Sequence, residues 1–340
     1  MLNNGINLVR IFSPEHGYLG NYAAGKYINN NIDPLSGVEV ISLYGKNKAP
    51  MDKYLLDIDI LIFDIQDIGV RYYTYASTMT LAMEKAAQNN IDFMVLDRPN
   101  PLTERVQGAI LDLEFSSFVG MHSIPIRHGM TIAELALFIK ENDLIKDSEK
   151  LNLEVIKMTN WDKGVWYDSV WENWISPSPN IPDIMTALIY VGTCLLEGTN
   201  LSEGRGTNAP FMLFGAPWLD NQKIVQNLND KKMEGVIFLE ENFTPKTSKY
   251  SQVQCKGIRI HIKNKEKIDP LIVGMSIINE VYKNHPNEFE FKADFFDKLY
   301  GSDDLRVAIL ESKNIDELMN KNEKDIEVFK KLREKVLLYK

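Results

Sequence analysis

Apolar and polar residues alternate in blocks along the first half of the chain, and these blocks predict strands and helices in turn. Apolar runs typical of short strands occur at residues 7–12, 39–44, 59–65 and 93–96. Residues 77–88 have helical spacing, and Thr131, with Glu134 three positions later, predicts a capping box that starts another helix. The alternation favours an α/β fold with a mainly parallel sheet and right-handed crossovers.

The run Ile60–Phe63 is apolar throughout, which predicts a central strand covered on both faces. Polar groups follow it at once, with Asp64, Asp67 and Arg71 standing among tyrosines. In an open α/β sheet, ligands bind in the crevice beyond the carboxyl ends of the strands. We therefore expect functional groups directly after this strand.

The second half of the sequence has a different order of elements. Residues 153–158 predict a strand, residues 184–195 a helix, and residues 197–207 a polar, glycine-rich loop. Further strands are predicted at residues 235–239 and 257–262, and further helices at residues 270–283 and 323–339. Because strands and helices are segregated there, we expect a smaller α+β domain. The predicted domains are residues 1–207 and 208–340. The last helix is interpreted as a solvated surface helix.

Four tryptophans, at positions 161, 166, 171 and 174, precede a Pro-Ser-Pro-Asn segment that ends at Asn180. Aromatic side chains at this density are compatible with a core. Tryptophan beside a cleft also stacks on sugar rings through its apolar face, and it is often only partly buried. The sequence leaves both interpretations open.

Composition and charge narrow the class of protein. The chain has 340 residues, of which 44% are hydrophobic and 25% charged, as expected for a globular protein with room for two domains. Its formal net charge of -9 argues against a nucleic-acid or anionic-membrane partner. No apolar run approaches the roughly twenty residues that span a bilayer, and the first twelve residues do not form a signal-peptide pattern. Cys194 and Cys255 are interpreted as buried thiols.

Several common chemical motifs are absent from the sequence. There is no G-x-G-x-x-G, no P-loop and no G-x-S-x-G, which removes the main support for dinucleotide, nucleotide-phosphate and hydrolase-elbow chemistry. The five histidines lack the spacing of a zinc site. We therefore expect neither a cofactor nor a metal.

What remains is a set of carboxylates, arginines and amides delivered at strand ends. They are Glu15, His16, Asp64, Asp67, Asp97, Arg98, Asn100, Arg127 and His128. Each alone has a structural explanation, as a helix cap or an ion pair, but together they suit a carbohydrate site. Glycoside hydrolysis requires a carboxylic acid to protonate the leaving oxygen and usually a second carboxylate. Glu15 is the candidate acid, because it follows an apolar strand and Pro14, where partial burial favours a protonated carboxyl.

The motifs also resemble a known family. They are SPEHGYLG (13–20), FDIQDIGVRYYTYASTM (63–79), LDRPNPL (96–102), PIRHGMTIAELA (125–136), PSPNIP (177–182), GTCLLEGTNLSEGRGT (192–207), GAPW (215–218), FTPKTSKY (243–250) and QCKG (254–257). In this order they are similar to the NamZ-type exo-β-N-acetylmuramidases of bacteria. The resemblance implies a Rossmann-like domain joined to a smaller C-terminal domain, with the active site in the cleft between them. It also implies release of N-acetylmuramic acid from the non-reducing end of peptidoglycan fragments, in cell-wall turnover.

Carried over by position, the family motifs fall on Glu15, on the segment 64–67, on Arg71 and on the run 197–207, and the strand-end pattern supplies most of the other candidates. The catalytic candidates are Glu15, His16, Asp64 and Asp67, with Glu203 as another possible second group. The substrate-binding candidates are Gln66, Arg71, Tyr73, Asp97, Arg98, Asn100, Arg127, His128, Asn180, Glu197, Asn200, Glu203 and Arg205. The lactyl carboxylate of muramic acid favours an arginine partner, ideally with two parallel hydrogen bonds, and Arg71 and Arg205 are the hypotheses.

The sequence departs from the family pattern at its start. Members of the family carry another strand and helix before the P-E-H-G strand, and this unit is missing here, as expected of a truncated gene product or a misplaced start. Its loss would leave a sheet edge unpaired. The chain itself suggests a cytoplasmic location, whereas the family is often secreted or periplasmic. The alternative function is a non-catalytic muropeptide-binding protein, and a nicotinamide oxidoreductase is disfavoured by the absent glycine fingerprint.

Overall fold

The computed structural model describes residues 4–20, 22–23, 25–26 and 28–340, except for the side chains at positions 316 and 319–321. In chain order the strands and helices are β1 (Arg10–Ser13), β2 (Asn31–Ile32), β3 (Glu39–Ser42), β4 (Ile60–Phe63), α1 (Tyr75–Asn89), β5 (Asp92–Leu96), β6 (Gln107–Ile110), β7 (Pro125–Arg127), α2 (Ile132–Glu141), β8 (Leu153–Ile156), α3 (Ile184–Thr193), β9 (Leu213–Ala216), α4 (Asn221–Asp230), β10 (Val236–Glu240), β11 (Lys256–Ile262), α5 (Pro270–Asn284), α6 (Ala293–Tyr300), α7 (Asp304–Leu310) and α8 (Asp316–Arg333). The mixed α/β class predicted from the sequence is confirmed.

The chain forms two compact units that do not follow a single cut in the sequence. The first contains the described residues up to Glu104 together with Gly129–Pro182 and Lys331–Lys340, and the second contains Arg105–His128 and Asp183–Lys330. The sequence-based boundary after residue 207 lies inside the second unit. One reason is that α3 packs closely on α5 within this unit, since a Cβ on Gly192 would lie 1.8 Å from the Pro270 carbonyl oxygen.

Two small sheets organise the first unit. One has the order β1-β3-β2, with β1 parallel and β2 antiparallel to β3. The other has the order β4-β5-β8 and is parallel throughout, with Phe63 level with Val95 and Val95 level with Val155. Helix α2 begins with the predicted capping box, in which Thr131 and Glu134 exchange side-chain and backbone hydrogen bonds. The parallel strands bring the loops after β4 and β5 to the same sheet edge.

The prediction that Ile60–Phe63 is a central strand was wrong for the described part of the chain. There, β4 pairs only with β5, and Ile60 is 36% exposed while Phe63 is 5% exposed. An apolar run shows that a strand can be buried on both faces. It does not determine which strands pair with it, because strand order depends on contacts between distant parts of the chain.

The second unit contains antiparallel sheets surrounded by helices. Its main sheet has the order β10-β11-β9, and β6 and β7 form a separate pair. The predicted C-terminal helix begins earlier and ends earlier than expected, at Arg333. It is also less solvated than predicted, since Ile326 and Phe329 are 8% and 3% exposed. The residues after it leave the helix because they are bound elsewhere: the Leu338 N–H donates to Glu134 in the first unit at 2.7 Å.

Candidate active site

Glu15 lies in the turn after β1, and two neutral donors bind its carboxylate. The Thr74 hydroxyl is 2.8 Å from Oε2, and the Gly25 backbone N–H is 3.0 Å from Oε1. Thr74 occupies the N-cap position of α1, yet its side chain does not cap that helix. The hydroxyl therefore serves Glu15 instead of the helix, and the Glu15 side chain remains partly exposed.

The turn that presents Glu15 depends on left-handed backbone at the next two residues. His16 has a φ of 73° and Gly17 a φ of 78°, and a Cβ on Gly17 would lie 2.7 Å from the Tyr22 ring. A non-glycine residue adopts this conformation only when its surroundings hold it there. His16 is buried, and its Nδ1–H donates to the Tyr22 carbonyl oxygen at 2.8 Å. The His16 imidazole thus stabilises the turn.

Two tyrosines lie behind the Glu15 turn. The Tyr75 hydroxyl is 2.7 Å from the Pro177 carbonyl oxygen and 3.4 Å from that of Glu15. The Tyr73 ring meets the Tyr75 ring edge to face, with centroids 4.9 Å apart. Burial raises the pKa of both phenols, so both remain neutral donors. Sequence reasoning selected Tyr73 and missed Thr74 and Tyr75, although their adjacency to Tyr73 at a helix start was the available signal.

Asp67 is a buried carboxyl close to the same tyrosines. Its Oδ2 accepts a hydrogen bond from the Gly69 N–H at 2.7 Å, whereas its Oδ1 has no hydrogen-bond partner within the described residues. Burial raises the pKa of Asp67 to about 7, against the opposing effect of the Gly69 and Ile68 N–H groups. Burial is the main cause of the raised pKa of Tyr75, and the negative charges of Glu15 and Asp67 raise it further. Below neutral pH, Asp67 is therefore mostly an uncharged acid.

Gln66 and Asn100 connect the loops that follow β4 and β5. The Gln66 side chain donates to the Pro99 carbonyl oxygen at 2.8 Å, and the Asn100 side chain donates to that of Met130 at 2.9 Å. A Cβ on Gly69, whose φ is 75°, would lie 2.4 Å from Asn100 Oδ1. These contacts use the amides to hold backbone in place, which favours positioning roles over direct substrate contact.

The remaining strand-end charges divide into an exposed pair and a buried acceptor. Arg98 Nε donates to Asp64 Oδ1 at 2.8 Å, and the two side chains are 41% and 44% exposed. Asp97 is buried and accepts hydrogen bonds from Thr131 at 2.8 Å and from Tyr339 at 2.6 Å. Burial raises the pKa of the Asp97 carboxyl, and these donors oppose the rise. Asp64 and Arg98 are the pair that solvent reaches.

Four other predicted residues are less exposed than a binding site would suggest. Arg71 and Arg127 are 2% and 1% exposed, and His128 is 1% exposed. Arg127 donates to Gln107 Oε1 at 2.6 Å, and burial lowers its pKa to about 9, so it stays charged at neutral pH. Asn180 is half-buried.

The glycine-rich loop of the second unit contributes to what we call the ion cluster: Glu197, Glu203, Arg205 and Lys249. Arg205 lies 2.8 Å from Glu197 and 3.5 Å from Glu203, and Lys249 lies 3.0 Å from the other Glu203 oxygen. Burial alone would lower the pKa of Arg205, but the two glutamates outweigh it and raise the pKa. Burial lowers the pKa of Lys249 despite Glu203. Two negative and two positive charges compensate one another here.

Lys249 also ties the loop together through its backbone contacts. Its ammonium donates to the Leu196 and Leu201 carbonyl oxygens, each at 2.8 Å. Sequence reasoning missed Lys249 as a site residue, although it lies in the FTPKTSKY motif. Asn200, predicted to bind substrate, instead exchanges hydrogen bonds with the Glu288 carbonyl and the Glu290 N–H at 2.7 and 3.0 Å.

In the part of the chain that the structure describes, no three His, Cys, Asp or Glu side chains are grouped so that they could hold a metal ion. Among the same residues, no helix combines the length and the apolar character needed to cross a membrane.

Comparison with known proteins agrees with this two-part organisation. Solved structures of two DUF1343 family proteins from Bacteroides fragilis NCTC 9343 are similar to this chain. One has a TM-score of 0.89 at 33% identity and covers 98% of this chain and 87% of its own. The other has a TM-score of 0.80 at 35% identity and covers 100% and 88%. The chain is thus a two-domain α/β protein of this structural class.

The family models are more specific than the fold. The N-terminal model of the exo-beta-N-acetylmuramidase NamZ matches residues 1–185, and its C-terminal model matches residues 188–339. The peptidoglycan beta-N-acetylmuramidase NamZ of Bacillus subtilis (strain 168) is 42% identical over an alignment of 340 positions, which covers 99% of this chain and 81% of that protein. The chain belongs to the NamZ exo-β-N-acetylmuramidase family, as the sequence motifs indicated.

Proposed function

We propose that this protein is a glycosidase that releases N-acetylmuramic acid from the non-reducing end of peptidoglycan fragments. Family membership and the 42% identity to a peptidoglycan β-N-acetylmuramidase support the reaction and the substrate class. The observation that carries the site is the partly exposed Glu15 carboxyl, which is oriented by the Thr74 hydroxyl at 2.8 Å. In this proposal Glu15 protonates the glycosidic oxygen as general acid.

Three residues are candidates for the second catalytic carboxylate: Asp64, Asp67 and Glu203. Their environments differ in exposure and in charge compensation. Glu203 is compensated by Arg205 and Lys249, and Asp64 is paired with Arg98. Asp67 is buried, and its pKa of about 7 makes it a poor anion below neutral pH. Asp64 is therefore the most accessible carboxylate for a direct role. The substrate acetamido group is an alternative to any second carboxylate.

For the lactyl carboxylate of the substrate, Arg71 and Arg205 were the hypotheses from sequence. Arg71 is 2% exposed, and Arg205 is bound by Glu197. Arg98 is also paired, through Nε and Nη2 to Asp64, but its side chain is 41% exposed, so substrate can reach this guanidinium as it cannot reach that of Arg71. We favour Arg98. Arg98→Lys should raise KM for muramyl substrates more than for glucosaminyl ones, and an equal effect on both would exclude it.

The decisive experiment is hydrolysis of para-nitrophenyl β-N-acetylmuramide by the 340-residue chain, beside the matching β-N-acetylglucosaminide. Release from the muramide should exceed release from the glucosaminide, and Glu15→Gln should lower kcat by about 10² to 10⁴-fold. Asp112→Asn is the matched control. It also replaces a carboxylate with an amide, but at the start of a short 3₁₀ turn (Leu113–Phe115) in the second unit, and it should keep full activity. A folded chain that binds the sugar without releasing it would favour the non-catalytic alternative.

A further inference from the structure

An exposed aromatic surface lies in the loop that precedes Pro177. The Trp171 ring stacks on the Tyr167 ring with centroids 5.1 Å apart and planes 29° apart, and Trp174 meets Tyr167 edge to face at 5.2 Å. Trp161 lies beneath, 5.6 Å from Trp171. Trp171 remains 40% exposed, whereas Trp161 is 8% exposed. The stack therefore has a buried base and an open top.

Two apolar neighbours extend this open top. Val170 is 51% exposed and Ile175 is 79% exposed. We call Val170, Trp171 and Ile175 the tryptophan platform. Solvent-exposed apolar groups that are stacked and adjacent in this way are typical of recognition surfaces, whereas scattered single residues are not.

The platform is connected to Glu15 by contacts within the first unit. Tyr75 bridges the loop before Pro177 and the Glu15 turn. Its hydroxyl lies 2.7 Å from the Pro177 carbonyl oxygen and 3.4 Å from the Glu15 carbonyl oxygen. The two loops also approach each other at Gly20, where a Cβ would lie 3.9 Å from the Ser176 carbonyl oxygen. Ile175 of the platform is two residues from Pro177, so at most about 7 Å of chain separates them. These contacts place the loop that carries the platform beside the Glu15 turn.

The rim of the platform decides which ligand it suits. Asp168, Glu172 and Asn173 are exposed around Trp171. Carboxylates and amides hydrogen-bond to sugar hydroxyl and acetamido groups, and an indole face packs on the apolar face of a pyranose ring. The charge of Arg98 also acts on Tyr167, so the surroundings of the stack contain both signs of charge. Because these charges oppose one another, the platform offers little net attraction to an anionic group, and a neutral sugar suits it.

We propose that the tryptophan platform binds the sugar on the leaving-group side of the scissile bond, a neutral N-acetylhexosamine such as N-acetylglucosamine. This inference rests on the proposed function for the position of the scissile bond. It deepens that function by assigning the chain a second sugar subsite, so that Trp171 sets the preference for glycan fragments over simple muramides.

The test uses Glu15→Gln protein, which should bind substrate without cleaving it. Calorimetric titration with the disaccharide MurNAc-β-1,4-GlcNAc and with methyl β-N-acetylmuramide measures the two affinities. Adding Trp171→Ala should weaken disaccharide binding by about tenfold, because a stacked ring loses its apolar contact, and should leave methyl muramide binding unchanged. Trp171→Tyr should recover most of the disaccharide affinity. Leu239→Ala, at an exposed apolar position in the second unit, is the matched control.

The outcomes separate this inference from the proposed function. If Trp171→Ala weakens both ligands equally or neither, the subsite assignment is wrong, whatever the activity of the unsubstituted chain. If the unsubstituted chain releases no sugar but disaccharide binding still depends on Trp171, the subsite stands and the glycosidase proposal fails. A change of oligomeric state on Trp171→Ala, measured by sedimentation, would show that a second copy covers the platform and would overturn the inference.

Discussion

Glu15 and Glu203 are both glutamates in glycine-containing loops, yet their environments differ in kind. Glu15 is partly exposed, and the neutral donors Thr74 and Gly25 bind it. Glu203 is 2% exposed and lies between two cations of the ion cluster. A partly exposed carboxyl bound by neutral donors is open to substrate, whereas a buried carboxylate between two cations belongs to an ion-pair network that stabilises its loop. The comparison supports the proposed acid role of Glu15 and a structural role for Glu203.

The largest expected effect comes from removing one charge of the ion cluster, which tests whether the cluster stabilises the fold. Lys249→Met should lower the free energy of unfolding by about 3 to 5 kcal/mol, because it leaves Glu203 with a weakened counter-charge in a buried site. It also leaves the carbonyl oxygens of Leu196 and Leu201 without this donor. Urea unfolding followed by circular dichroism measures the loss.

Glu15→Gln is measured beside Lys249→Met. Its free energy of unfolding should stay within about 0.5 kcal/mol of that of the unsubstituted chain, as surface substitutions usually do. The double variant Glu203→Gln, Lys249→Met should lose less than the sum of the two single variants, because the pair is removed together. Equal stability losses at Glu15 and Lys249 would contradict the division of roles.

A second prediction concerns Asp67, which shares burial with Glu203 but lacks its cations. Its folded pKa of about 7 exceeds the ordinary value of 3.8, so the folded state binds this proton more tightly. The resulting stability is present below about pH 4 and lost as the pH rises through 7, to a limit of about 4 kcal/mol. Asp67→Asn keeps an acceptor for the Gly69 N–H and does not titrate. Unfolding at pH 4.5 and pH 8 should therefore show a steeper fall for the unsubstituted chain, and parallel falls would refute the assignment.

The smallest expected effect is at Thr74, which orients Glu15. Thr74→Val preserves the shape of the side chain and removes the donor, so kcat should fall by about tenfold through looser positioning of the acid. Stability should change little, since the Thr74 side chain does not cap α1. Thr74→Ser, which keeps the hydroxyl, should retain most of the activity. If Thr74→Ser is as impaired as Thr74→Val, the hydroxyl is not the relevant group.

Much of the fold followed from local patterns. The capping box at Thr131 and Glu134 forms as predicted, and the helix expected at residues 77–88 is found at Tyr75–Asn89. These features depend on neighbours within one or two turns of chain. The predicted helix at residues 323–339 ends at Arg333 instead, because Leu338 and Tyr339 hydrogen-bond to Glu134 and Asp97 far away in sequence. Local periodicity contains no information about such partners.

For the candidate site too, some features could be predicted from the sequence and others only from the tertiary structure. The motif residues identified Glu15, Asp67 and the glycine-rich loop as places where charge gathers, because residue type alone sets which groups can ionise. Which charges are compensated was decided by tertiary contacts: Lys249 reaches Glu203 across 46 positions of sequence, and Thr74 reaches Glu15 across 59. The sequence by itself determined the family and the chemical groups available. Only the folded chain decided their exposure and partners, because burial and charge compensation arise between residues that are distant along the chain.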